Sequence, residues 1–204
     1  MSEAARLVAE LRQYVADERV LEALERVPRE AFVPEDLRAS AYDNTALGIG
    51  CGQTISQPLV VARMTELLEL RPGDRVLDVG TGSGYHAAVL AALAGHVWSI
   101  ERHADLSRLA GEALARAGVE NVTLTVGDGS RGLPEEAPFD AINVAAAGHR
   151  EGLDALEDQL ADGGRLVAPV IGRRQRLTVA RREGRHVGWR QLEEVRFVPL
   201  VRDG

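Results

Sequence analysis

Two stretches of this sequence hold residues of the type and spacing that chemistry needs. In Asp78-Val79-Gly80-Thr81-Gly82-Ser83-Gly84-Tyr85, glycine recurs at every second position. An apolar run, Arg75 to Val79, leads into it, and a strong helix former, Ala87 to Leu93, follows. Strand, glycine turn and helix together aim helix N-terminal N–H groups at a ligand, and glycine permits both the tight turn and the close approach. The second stretch, Gly48-Ile49-Gly50-Cys51-Gly52-Gln53-Thr54-Ile55-Ser56-Gln57-Pro58, clusters glycines with small hydroxyl and amide side chains. A loop so rich in uncharged hydrogen-bonding groups is more than a connector. Ser56 also reads as a helix N-cap, with Pro58 in the first turn.

Alternating glycines are shared by nicotinamide, flavin and S-adenosylmethionine (SAM) sites. The dinucleotide pattern wants glycine at position 85, where this chain has Tyr85. Asp78 offers a carboxylate two positions before the first glycine, which suits an ammonium and a sulfonium better than a pyrophosphate. Glu101 closes the next apolar run, His96 to Ile100, ~20 residues past the glycines, where an acidic side chain takes a ribose diol. SAM is therefore the expected ligand, and a nicotinamide oxidoreductase is a distant alternative.

The rhythm of the rest of the chain supplies a frame. Residues 4–26 have the apolar spacing of amphipathic helix, ended by Pro28, and Glu35 to Ala41 suits a short helix. Residues 42–58 read as an irregular loop, Leu59 to Leu70 as a helix. Strands are expected at 75–79, 96–100, 122–126, 139–144 and 165–170, with helices at 106–117 and 153–160. Gln175 to Arg182 and Leu192 to Leu200 read as closing strands, paired across Glu183-Gly184-Arg185. Repeated βα units imply an α/β fold, a mostly parallel Rossmann-like sheet with helices on both faces, and ligands at the carboxyl ends of its strands. The glycine turn, Glu101, Asp128 and Ala145 to His149 fall at such ends. Residues 1–58 read as an N-terminal helical cap with its loop and 59–204 as the core, all in one domain.

Composition narrows the class. A formal charge of −7 argues against a nucleic-acid binder. Every basic residue is Arg, and Cys51 is the only cysteine, so no internal disulfide forms. No apolar run approaches the ~18 residues of a membrane span. A cytoplasmic monomer without nucleic-acid or membrane partners is expected.

The chain resembles the protein-L-isoaspartate O-methyltransferases from Val27 to Leu200. The resemblance rests on Val27-Pro28-Arg29-Glu30-Ala31-Phe32-Val33-Pro34, Gly52-Gln53-Thr54-Ile55-Ser56-Gln57-Pro58, the glycine turn, Ser99-Ile100-Glu101-Arg102, Gly127-Asp128-Gly129 and Phe197-Val198-Pro199-Leu200. It implies a SAM-dependent methyltransferase with an added helical section, acting on the α-carboxyl of L-isoaspartyl residues in damaged peptides and proteins, with S-adenosyl-L-homocysteine as product. The ester would then collapse to a succinimide that reopens partly to normal aspartate. It further implies that Ser56 sits in the active site, with Ile49, Gln53, Thr54, Ile55 and Ala145 on the substrate. Asp78, Gly80, Thr81, Gly82, Ser83 and Gly84 would hold the cofactor, Glu101 and Arg102 its ribose side, Asp128 and Gly129 its adenine. No metal is implied. A carboxylate with a pKa of ~4 needs no general base, so alignment and water exclusion remain as the tasks.

Five positions depart from the family pattern: Asn44, Gly48, His86, Ala145 and Gly148, where aspartate, proline, glutamine, threonine and proline are usual. They leave open a carboxyl methyltransferase for another peptide carboxylate, or a SAM-binding module without turnover. Cys51, His149 and the Arg173 to Arg176 and Arg181-Arg182 clusters read as ordinary loop and surface residues.

Overall fold

The computed structural model describes residues 1–202; Asp203 and Gly204, the end of the expected core segment, lie outside the described residues. Seven strands form the main sheet: β3 (Arg75–Val79), β4 (His96–Glu101), β5 (Val122–Val126), β6 (Phe139–Val144), β7 (Leu160–Ile171), β8 (Gln175–Glu183) and β9 (His186–Glu194), in spatial order β5-β4-β3-β6-β7-β8-β9. β5 through β7 run parallel, and β8 and β9 close the sheet antiparallel. The order reverses between β3 and β6, and the crevice at their carboxyl ends is where such sheets bind ligands. Val76 to Val79 are all buried, as expected for a strand covered on both faces.

α4 (Tyr85–Ala91) is buried on every side. One face lies on the sheet and the other lies under the cap, so it carries no polar stripe. The expected 4–26 helix is two helices, α1 (Glu3–Leu11) and α2 (Glu18–Arg26). Asp17 caps α2 by accepting from Arg19 N at 3.0 Å, and Glu66 accepts from Ala16 N and Asp17 N, which pins the turn between them. Leu7, Leu11 and Leu21 join one core cluster with Tyr85 and Val89 of α4 and with Leu114 of α5 (Ala104–Arg116).

Four further expectations need correcting. Residues 42–58 contain a two-stranded hairpin, β1 (Leu47–Gly50) and β2 (Gln53–Ile55), turned by Gly50, Cys51 and Gly52 with φ of 97°, 51° and 69°. The N-cap position of α3 (Pro58–Leu68) is Gln57, not Ser56, and the capping bond comes from Asn44, whose Oδ1 accepts from Leu59 N at 3.1 Å. The 153–160 helix shrinks to α6 (Asp154–Glu157), because Leu160 already pairs with Phe139 of β6. The last expected strand also shifts: β8 and β9 pair across the expected turn, but the chain leaves the sheet after Glu194. Pro199 cannot donate to a ladder; Val195 and Phe197 are held by Gln175 of β8, and residues 198–200 pair with Ala147, just past β6, where Ala147 N donates to Val198 O at 2.8 Å and Leu200 N to Ala147 O at 2.7 Å.

Candidate active site

The glycine turn is built from backbone bonds. Gly80 N and Thr81 N both donate to Ile100 O, at 2.9 and 3.4 Å. Gly80 has φ of 95°, which a residue with a Cβ rarely adopts. Gly82 N donates to Glu101 Oε2 at 2.9 Å, and His103 N donates to Oε1 at 3.0 Å. The Glu101 carboxylate therefore sits between the end of β4 and the glycine turn, only 6% exposed. Each of its oxygens keeps a second lone pair for a ligand hydroxyl. Ser83 Oγ accepts from Tyr85 N in the first turn of α4.

A cleft of about 340 Å³ runs along this turn. Gly80, Gly82, Ser83, Glu101, Arg102 and Gly129 all line it. A Cβ on Gly129 would fall 2.6 Å from Val79 Cγ1, so only glycine lets the backbone close in there. Asp128 turns Oδ1 back to Ser130 N, 2.9 Å away, and caps the short 3-10 turn Gly129–Arg131. Gly84 meets Ala110 of α5, 3.2 Å from where its Cβ would be; its work is helix packing rather than ligand contact.

Asp78 corrects the sequence reading. It is fully buried beneath the turn rather than on the cleft wall. Ser99 Oγ donates to its Oδ2 at 2.6 Å and Asn143 Nδ2 to its Oδ1 at 2.7 Å, while Thr81 Oγ1 lies 2.6 Å from Ser99 Oγ. Burial pushes its pKa up to about 6, the Ser99 and Asn143 bonds pull it down, and the Glu101 charge adds to the rise. The reason is its place inside β3: both faces of that strand are packed, so the Asp78 side chain is sealed in whichever way it points. Asn143 also faces His86 Nδ1 at 3.2 Å, and His86 Nε2 lies 3.1 Å from Thr65 Oγ1. Burial lowers the His86 pKa to about 3, so the ring is neutral.

The hairpin β1–β2 closes the cleft from the cap side. Ile49 Cδ1 lies 3.4 Å from where a Gly82 Cβ would be. Gln53, Thr54, Ile55 and Ser56 line the cleft, as does Ala145. Thr54, Ser56, Ala145 and Val198 also line a second, more open groove of about 700 Å³. Ser56 therefore stands where the two join, and among the described residues its hydroxyl has no hydrogen-bond partner.

Sequence reasoning missed three contributors. Cys51 lines the cleft, and so does the returning segment Val198 to Val201. Arg29 is buried behind Ser56. Phe197 to Leu200 and Arg29 lie in stretches that carry the family resemblance, but nothing in their spacing points to the site. Of the five departures, Ala145 and His86 reach the cleft. Gly148 N instead donates to Pro169 O at 3.2 Å, a bond proline could not make.

Fold and cleft together define a SAM-dependent methyltransferase. The chain belongs to the protein-L-isoaspartate(D-aspartate) O-methyltransferase family, whose sequence profile matches residues 2–204. It is 52% identical over 197 residues to a protein-L-isoaspartate O-methyltransferase of Serratia proteamaculans, covering 96% of this chain and 94% of that one. The corresponding protein of Methanoculleus marisnigri is 53% identical over 189 residues, covering 92% and 85%. A solved protein-L-isoaspartate O-methyltransferase superposes with TM-score 0.87 at 31% identity, over 96% of this chain and 65% of that longer one. A Plasmodium falciparum structure of the same description, in complex with S-adenosyl-L-homocysteine, gives TM-score 0.84 at 26% identity over the full length of both chains.

Proposed function

We propose that this methyltransferase acts on the α-carboxyl group of L-isoaspartyl residues in damaged proteins and peptides, with Ser56 orienting that carboxylate. Family membership and two relatives about half identical in sequence, named for this reaction, support the activity. The observation that carries the site assignment is the position of Ser56 at the junction of cleft and groove, its hydroxyl without a partner in the chain. The open groove suits the chain on either side of a modified residue better than it suits a small free acid.

When bound, SAM supplies a methyl group already activated on a sulfonium. The donors and acceptors of the cleft fit it. Glu101 has lone pairs for the ribose hydroxyls, with Arg102 beside it. Gly80, Thr81, Gly82 and Ser83 present backbone to the amino-acid portion, and Asp128 with Gly129 border the adenine. The substrate carboxylate is ionised at neutral pH, its pKa being ~4, so the chain need not remove a proton. Its residues have to bring one carboxylate oxygen into line and keep water out. The Ser56 hydroxyl and Thr54 orient that group, Gln53 and Ala145 flank it, and Ile49 and Ile55 supply apolar walls.

Residues 1–58 and 59–204 form a single domain in this reading, supported by the core cluster that cap and α4 share. It works as a monomer in the cytoplasm; no helix among the described residues is long and apolar enough to cross a membrane.

The test is incubation with labelled SAM and two peptides that differ only in L-isoaspartate or L-aspartate at one site. Base-labile methyl esters on the isoaspartyl peptide alone are expected. Esters on the aspartyl peptide would move the substrate assignment elsewhere, and SAM binding without any ester would remove the enzymatic reading.

A further inference from the structure

We infer that Arg29 is a positioning residue for methyl transfer: its buried guanidinium sets the place of Ser56 relative to the glycine turn. The inference rests on the role proposed for Ser56 above.

Arg29 opens the short 3-10 turn Arg29–Phe32 and is 0% exposed. Three elements meet at its side chain. Nε donates to Ala41 O of the cap at 2.8 Å, and Nη2 donates to Ser56 O at 2.8 Å. Its Cζ lies 4.7 Å from the ring centroid of Tyr85, the first residue of α4 after the glycine turn. Planar and forked, the guanidinium meets two carbonyls and one ring face in a fixed geometry that no other side chain reproduces.

Its charge is otherwise hard to explain. The other deeply buried arginine among the described residues, Arg165, is paired with Asp74 at 2.8 Å. Arg29 has no carboxylate partner among the described residues, and Nη1 is left without a hydrogen bond. A buried, uncompensated cation is costly, and bolting two carbonyls together does not require one. A charge-assisted bond holds Ser56 O more firmly than a neutral donor would and leaves the Ser56 hydroxyl for substrate.

The placement also explains the cap. None of residues 1–44 lines the cleft or the groove. Through Arg29, the helical part of the cap, residues 1–44, acts on a site that it does not line. Arg29 lines neither cavity, so its role runs through Ser56.

The test uses the full chain with Arg29→Met and Arg29→Lys, assayed on the isoaspartyl peptide. Met keeps the length and loses charge and donors; Lys keeps the charge and loses the fork. For both variants we expect kcat at saturating peptide to fall about 10–100-fold, the scale set by small misplacements of reacting groups. SAM Kd should stay within about twofold of wild type, since the loss is confined to the transition state. Wild-type kcat in either folded variant overturns the inference, as does a parallel loss of SAM affinity. If Arg29→Met does not fold, Arg29→Lys decides alone; if neither folds, Arg29 is only a brace and the inference fails. A wild-type chain inactive on this peptide would instead remove the functional reading, which separates the two failures.

Discussion

Glu101 Oε2 accepts a hydrogen bond from Gly82 N at 2.9 Å, so one carboxylate both closes the glycine turn and borders the cleft. The sequence separation of the pair, set by α4 and the run into β4, is what lets a strand end meet the turn of its neighbour.

Loss of that carboxylate should therefore act twice, through the turn and through the ligand. Glu101→Ala is expected to weaken SAM binding at least tenfold, since a hydrogen bond to a charged group contributes about 1.5–3 kcal/mol. Glu101→Gln, which keeps one acceptor oxygen, should lose less. Calorimetric titration with SAM checks both; unchanged affinity in Glu101→Ala would separate Glu101 from the cofactor.

Ser56→Ala should leave SAM affinity intact and lower turnover on an isoaspartyl peptide about tenfold, the scale of one hydrogen bond. Steady-state kinetics with SAM saturating reads this directly. Full turnover in the variant would end the orienting role.

Gly129→Ala drives a methyl group to within 2.6 Å of Val79 Cγ1 at the buried carboxyl end of β3. Overpacking of this kind costs about 1–3 kcal/mol. A lower unfolding midpoint in urea is expected, together with weaker SAM binding as the cleft lining at Gly129 shifts. A variant as stable as wild type would mean that β3 yields more easily than its packing implies.

Stability should respond to pH through two buried groups of opposite sign. Asp78 titrates near 6 in the fold against 3.8 ordinarily, so its contribution is fully present below 3.8 and is lost as pH rises through 6. His86 is depressed from 6.5 to about 3, so its contribution is present above 6.5 and is lost as pH falls toward 3. The two oppose each other between about pH 4 and pH 6. In His86→Gln only the Asp78 contribution survives, and the variant should lose less stability than wild type between about pH 7 and pH 4.5. Urea midpoints at the two pH values test this, and an equal loss in both proteins would contradict it.

Much of this protein is legible from its residues alone. The alternation of buried runs with glycine-ended helices specifies the parallel sheet, because a strand covered on both faces must be apolar throughout. Three glycines after β3 specify a ligand turn, because few other residues accept those backbone angles. Tyr85 in place of a fourth glycine points away from dinucleotides. The hairpin at 47–55 is less legible: its short strands lie on the cap, and their periodicity is broken by Gly50, Cys51 and Gly52.

Tertiary structure alone decided which polar side chains face the cleft and which are sealed beneath it. Asp78 and Glu101 are both carboxylates at or near strand ends, and sequence reading assigns both to the cofactor. The packing of β3 between β4 and β6 turns Asp78 inward to Ser99 and Asn143, whereas Glu101, the last residue of β4, reaches the turn. Arg29 and Ser56 are 27 residues apart and share no pattern, yet a guanidinium and a carbonyl meet at 2.8 Å. Local sequence determines backbone propensity and which faces are apolar; contacts between distant residues exist only once those faces have packed.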